Sequence, residues 1–319
     1  MIFRRSACLL LALSCAAAIA PASAAPAALA DATEDRSVHE GEGALLRLQV
    51  LLDRARFSPG EIDGMVGSNQ ARALRGYQAS NDLPVTGEAD TATWAALERD
   101  AAPALVDYTL TAADIAGPYV ELPKDAMDKA KLDALGYGSL SEALGERFHA
   151  SPALLRKLNP SLDEARAGTV LKVPGVSAPA TTKAARVVVD RSDSVLRLLD
   201  DGGRVLAQYP ASTGSEHDPL PIGDWRIVTV VKDPTFHYNP ELFWDANPTH
   251  EKATLAAGPN NPVGTVWIDL SKPHYGIHGT PEPRGVGKQQ SHGCIRLTNW
   301  DAQAVAAAVD SSVPVILQE

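Results

Sequence analysis

Two short runs hold the residues best suited to do chemistry: Tyr275-Gly276-Ile277-His278-Gly279-Thr280 and Ser291-His292-Gly293-Cys294-Ile295-Arg296-Leu297. They bring two imidazoles and one thiol within seventeen positions, among glycines that let backbone approach a ligand closely. A thiol at its reference pKa of about 8.5 is only a few per cent thiolate at neutral pH, so a cysteine nucleophile needs a neighbouring base or cation. If residues 291–297 run extended, His292 and Cys294 share a face but stand about 7 Å apart along the strand, too far for a direct hydrogen bond unless Gly293 bends the chain. His278 arrives on a separate segment and can face the sulfur across a sheet, where opposed Cβ atoms lie about 5 Å apart. His278 is therefore assigned as the base. No acidic residue flanks it, so a backbone carbonyl, that of Gly279, is the expected partner that sets its tautomer. Attack on an amide creates an oxyanion, and the N–H groups of Gly293 and Cys294 are the nearest fixed donors. Tyr275, Thr280, Ser291 and Arg296 complete the site as substrate-contacting residues. Arg296 has two open roles, a two-point grip on a substrate carboxylate or a structural ion pair.

The setting of the thiol sharpens this reading. Arg4 and Arg5, the apolar residues 7–20 and Ala22-Ser23-Ala24 have the form of a secretory signal peptide over residues 1–24. Lipidation of Cys15 is disfavoured, because Ala12-Leu13-Ser14 lacks the leucine usual three residues upstream. Cys8 and Cys15 leave with the leader, so Cys294 remains unpaired in an oxidising compartment where structural cysteines come in pairs. Losing two arginines takes the 29 basic residues to 27 against 39 acidic, and the formal charge from −10 to −12. That balance argues against nucleic acid as a partner. No other segment is apolar for long enough to span a membrane.

The elements that must position the site fall in the C-terminal half. Residues 186–190, 195–199, 205–209, 225–231, 265–270, 275–278 and 314–317 read as strands, joined in places by turns such as Asp201-Gly202-Gly203. A mainly antiparallel β-sandwich or barrel over residues 185–319 is expected, with one helix near its end capped by Asn299. Upstream, apolar residues at helical spacing between turn clusters predict a three-helix unit over residues 43–102. Residues 106–175 predict a small α+β unit, residues 176–184 a linker, and residues 25–42 a flexible segment.

The spacing of His278 and Ser291-His292-Gly293-Cys294 resembles the YkuD-type L,D-transpeptidase signature. The likeness extends to Thr213-Gly214, to Pro219-Leu220-Pro221-Ile222-Gly223-Asp224-Trp225 and to Gly258-Pro259-Asn260-Asn261-Pro262-Val263-Gly264. The helical unit, through Leu48-Gln49, Ile62-Asp63-Gly64, Tyr77-Gln78 and Leu83-Pro84-Val85-Thr86-Gly87, is similar to the peptidoglycan-binding-1 family. The unit after it resembles a LysM module, with its first strand set farther from its first helix than in a compact one. The resemblance implies attack by Cys294 on the bond between the third stem residue and a terminal D-alanine, then resolution of the thioester by a second stem to give a 3–3 crosslink. It implies peptidoglycan as partner, an outer-membrane lipoprotein as another acyl acceptor, acylation by carbapenems, a periplasmic or cell-wall location and no cofactor.

Three other readings stay in view. Water as acceptor would make an L,D-carboxypeptidase. A zinc hydrolase would draw on the 8 histidines, but His278, His292 and Cys294 offer no helical His-x-x-x-His pair. A wall-binding scaffold has no use for a paired thiol and imidazole, and fast alkylation of a thiolate-rich Cys294 near neutral pH is the expected discriminator.

Overall fold

A computed structural model describes residues 24–176 and 182–319. The signal-peptide reading therefore lies outside the described residues except for Ala24, as does the linker reading at residues 177–181.

The first helix, α1 (Ala24–Glu34), occupies much of the segment expected to be flexible. It packs on α2 (Gly41–Arg54). Arg47 of α2, 1% exposed, donates to the carbonyls of Thr33 and Asp35 at 3.1 and 2.7 Å. These bonds hold carbonyls at and just beyond the helix end, which otherwise lack intrahelical partners. With α3 (Ser68–Ser80) and α4 (Thr91–Leu97), α2 closes over Leu48, Leu52, Leu74, Tyr77 and Trp94. Two glutamines from the recognised runs staple its turns. Gln49 Oε1 accepts from the amides of Asp63 and Gly64, and Gln78 Oε1 from those of Thr86 and Gly87.

The middle unit pairs β1 (Leu105–Thr109) antiparallel with β2 (Val170–Pro174). Between them lie the short helices α5 (Ala112–Ala116) and α6 (Ala126–Lys129), then α7 (Leu140–Arg147) and α8 (Pro152–Leu158). Ser139 and Ser151 cap α7 and α8 through side chains that accept from Glu142 and Leu154 amides.

The C-terminal unit contains β3 (Arg186–Asp190), β4 (Val195–Leu199), β5 (Val205–Pro210), β6 (Gly223–Lys232), the short β7 (Phe236–Tyr238) and β8 (Ala253–Leu255), β9 (Val266–Leu270), β10 (Gly276–His278), β11 (Ile295–Arg296), α9 (Asn299–Ala308) and β12 (Pro314–Gln318). The mostly β architecture with one C-terminal helix is as expected. In detail it is one eight-stranded sheet in the order β11-β10-β9-β6-β12-β3-β4-β5, with β7 and β8 forming a separate hairpin. Two of its pairings are parallel, β12 with β3 and β10 with β11. The first follows the return of the chain through α9, and the second follows the long loop of residues 279–294. Its core runs from Val187, Leu196 and Leu198 through Ile227 and Ile268 to Ile277 and Ile295. The last two are 0% exposed and lie opposite each other, which pins the pair of strands that carries the chemistry. Truncating either to alanine would cost about 2–5 kcal/mol.

The three units are docked together. Phe57 bridges Gln208, with Ser58 N–H donating to Gln208 O at 2.9 Å, so the first unit covers the edge strand β5. Ile62 makes the same kind of backbone pairing with His149 and Ser151 of the middle unit.

Candidate active site

The register of β10 and β11 builds the site. Ile277 lies opposite Ile295 and His278 opposite Arg296. Side chains alternate along a strand, so His278 and Arg296 fall on one face, while the two isoleucines point into the core. Cys294 lies two residues before Arg296, the register partner of His278, and among the described residues its Sγ makes no hydrogen bond to the imidazole.

His278 is buried, 6% exposed, and its Nδ1 donates to the carbonyl of Gly279 at 2.6 Å. The lone pair is therefore on Nε2, the nitrogen free to accept a proton. The ring also stacks on Trp267, with centroids 5.7 Å apart. Burial, reinforced by the Arg296 cation and opposed by the Gly279 bond, lowers the His278 pKa to about 4. At neutral pH this imidazole is uncharged.

Cys294 is half-buried and is the free thiol among the described residues. Burial raises its pKa, against the lowering effects of the Gly276 amide and of Arg296. Its Sγ lies 3.7 Å from the His274 carbonyl, which a protonated thiol can use as acceptor. The resting pair is thus thiol and neutral imidazole. This corrects the expectation of a thiolate-rich cysteine, because burial outweighs the nearby cation.

Arg296 acts electrostatically on both His278 and Cys294. Burial depresses its own pKa, the Glu282 carboxylate acts in the opposite direction, and among the described residues no carboxylate oxygen lies within 4.0 Å of its nitrogens. Its Nε is buried without a hydrogen-bond partner.

Gly293 does bend the chain: its φ is +94°, so the strand begins only at Ile295. A Cβ there would fall 2.8 Å from Tyr275 Cε1, so the tyrosine ring lies directly on the turn. The bend also carries His292 away from the sulfur, and its Nε2 lies 2.9 Å from Asp245 Oδ1. The amides of Gly293 and Cys294 donate to no acceptor among the described residues, while that of Arg296 is taken by Ser212 O at 2.9 Å.

Two residues expected to touch substrate also brace the site's turns. Ser291, 5% exposed, donates its hydroxyl to the Cys294 carbonyl, and its amide bonds Thr213 O at 3.2 Å. Thr280, 3% exposed, accepts from the Glu282 amide. Sequence spacing marked both as near the thiol; the Thr280 O–H keeps its donor capacity, and the Ser291 oxygen can still accept. The expected cap Asn299 is replaced. Thr298 caps α9, its hydroxyl accepting from Asp301 N at 3.1 Å, and the Asn299 side chain turns inward.

Further side chains surround the site. The hairpin β7–β8 brings Phe243 and Trp244 against His292, at centroid distances of 5.3 and 6.0 Å, with Trp244 also 4.4 Å from His217. Trp244 is 60% exposed. The unusual length of residues 233–262 was the available signal for such a cover. Asp218, which raises the Cys294 pKa and has a buried oxygen without a partner, gave none. Among the described residues no group of three or more His, Cys, Asp or Glu side chains is arranged to hold a metal, and no helix is long and apolar enough to cross a membrane.

A thiol, an imidazole with its basic nitrogen free, amides at a tight turn that are unspent among the described residues and a buried guanidinium are the parts of cysteine acyl transfer. Comparison with known proteins specifies which kind. The L,D-transpeptidase catalytic domain family, YkuD, matches residues 184–317, and the peptidoglycan-binding family PG_binding_1 matches residues 42–97. A Bacillus licheniformis relative carrying the designation L,D-transpeptidase YkuD is 30% identical over 180 residues, which cover 56% of this chain and 93% of that protein. Its Bacillus subtilis counterpart is 29% identical over 181 residues, covering 56% and 94%. Among solved structures, L,D-transpeptidase 3 from Mycobacterium tuberculosis with a faropenem-derived adduct is 20% identical, with 49% of this chain and 76% of that chain covered and a TM-score of 0.36. The chain belongs to the YkuD-type L,D-transpeptidase family. It is an L,D-transpeptidase, an enzyme acting on peptidoglycan, that carries a peptidoglycan-binding domain.

Proposed function

We propose that Cys294 is the nucleophile and His278 the base of this transpeptidase, and that its donor is a stem tetrapeptide of peptidoglycan. The observation that supports the assignment is the parallel pairing of β10 with β11, which sets an Nε2-basic His278 opposite Arg296, two residues along the chain from Cys294.

Sγ attacks the carbonyl joining the third stem residue to the terminal D-alanine while His278 Nε2 takes the thiol proton. The tetrahedral oxyanion is held by the N–H groups of Gly293 and Cys294. Collapse breaks the amide bond, and the imidazolium returns its proton to the departing D-alanine amine. An acceptor amine then attacks the thioester, losing its proton to His278, and the thiol is regenerated. Arg296, whose buried Nε has no hydrogen-bond partner among the described residues, grips a carboxylate of the substrate. Tyr275, packed on the Gly293 turn, lines the approach to the sulfur. His292, tied to Asp245, holds the β7–β8 hairpin over the cleft.

The first unit holds the enzyme on the wall, with the middle, LysM-like unit as a second glycan contact. Such work lies outside the cytoplasmic membrane, in keeping with the leader-like residues 1–24. A second stem peptide as acceptor gives the 3–3 crosslink. Incubation with disaccharide-tetrapeptide and identification of products by mass tests this: crosslinked dimer supports the reading. Tripeptide alone marks an L,D-carboxypeptidase, and reaction only when a lipoprotein lysine is supplied marks an anchoring enzyme. No product of any kind refutes it.

A further inference from the structure

Asn299 is a polar side chain, 0% exposed, that the reaction scheme leaves without a task. Its Oδ1 accepts from Thr265 N at 3.2 Å, and its Nδ2 donates to Pro259 O at 3.2 Å and to Glu146 Oε1 at 3.1 Å. It lies flush on two glycine backbones: a Cβ at Gly279 would stand 2.2 Å from its Oδ1, and one at Gly264 1.9 Å. Gly279 is the residue whose carbonyl holds His278 Nδ1. Glu146 comes from outside the catalytic unit, on the last turn of α7. The same middle unit grips the adjacent loop from a second direction, through Leu135 N to Ala257 O and Asn260 N to Leu135 O, both 3.0 Å.

We propose that Glu146 is a positioning residue for His278: it fixes Asn299 across the boundary between units, and Asn299 fixes the Gly279 peptide that holds the imidazole with Nε2 basic. The inference rests on His278 being the base, as read above. It makes the middle unit part of the catalytic apparatus as well as a wall contact. Burial pushes the Glu146 carboxyl up to about 8, with the Asn299 bond and His149 opposing and Glu142 and Glu61 adding. At neutral pH it is an uncharged acid, which glutamine reproduces in shape and in its acceptor oxygen.

Full-length Glu146→Ala and Glu146→Gln are compared by steady-state turnover of disaccharide-tetrapeptide and by the ring-nitrogen NMR signals of His278, assigned with a His278→Ala variant. Alanine should lower kcat by about tenfold to a hundredfold with KM held within about twofold, since small misplacements of a catalytic group have effects of that size. It should also abolish the single Nδ1–H tautomer. Glutamine should restore both kcat and the tautomer. Unchanged kcat in the alanine variant, equal damage from glutamine, or an effect confined to KM overturns the proposal. Should the alanine variant not fold, Glu146→Leu, which fills the space but accepts no hydrogen bond, is read on the same scale. If the wild type itself lacks turnover, the enzyme reading fails separately, and an unaltered His278 spectrum in the variant still overturns this one.

Discussion

Gly293→Ala tests the turn that aims the oxyanion donors. The residue sits at φ +94°, a region where an L-side chain costs roughly 1–3 kcal/mol. The added methyl would also press on Tyr275 Cε1 at 2.8 Å, against ordinary carbon contacts of about 3.5 Å or more. Tyr275 is only half-buried and can swing outward, so the backbone term is the larger. The peptide relieves it by rotating toward negative φ, which turns the Gly293 and Cys294 amides off the oxyanion position. Loss of one such donor costs about 3–4 kcal/mol of barrier, a fall in kcat of about 10²–10³. The assay is turnover of a tetrapeptide donor beside a denaturant melt, with Gly67→Ala as control, since Gly67 has extended backbone and open space around its Cα. A variant with kcat within about threefold of wild type would refute the assigned donors.

Other consequences are as direct. Alkylation of Cys294 by iodoacetamide should climb steadily above neutral pH, because burial raises the thiol pKa and keeps His278 uncharged; a rate plateau extending below pH 6 would indicate a preformed ion pair. Asp301 is buried beneath the first unit, accepting from Ser58 Oγ at 3.0 Å, and burial raises its pKa to about 7. A carboxyl raised on folding lends stability that is whole at acid pH and is lost as pH rises through that value. From pH 5.5 to 8.5, Asp301→Asn should therefore gain on wild type by about 2 kcal/mol in urea melts, and a constant difference would contradict the assigned burial. Arg296→Met should raise KM for the donor at least as strongly as it lowers kcat, since a two-point carboxylate contact is lost; an unchanged KM removes the substrate role.

Most strands and the run of chemistry were legible because alternation and turn residues report local preference, and because Cys294 and His278 sit in short, dense motifs. Three things were not. The parallel register of β10 and β11 depends on a sixteen-residue excursion, residues 279–294, whose path no periodicity encodes. The partners of Ser291, Thr280 and Asn299 depend on which polar group each meets after folding: Ser291 donates to the Cys294 carbonyl, Thr280 accepts from the Glu282 amide, and Asn299 turns to Glu146 while Thr298 caps α9. The packed helix α1 was masked by an alanine-rich composition that also suits a flexible spacer, and what orders it is a buried arginine on the next helix.

The central claim, one sulfur made nucleophilic by His278, is tested most directly by intact-protein mass spectrometry after mixing with disaccharide-tetrapeptide in the absence of acceptor. The account predicts a tripeptide thioester on wild type with release of D-alanine, mapped to Cys294, and none on Cys294→Ala or His278→Ala. An adduct that survives either substitution, or D-alanine released by Cys294→Ala, would contradict it.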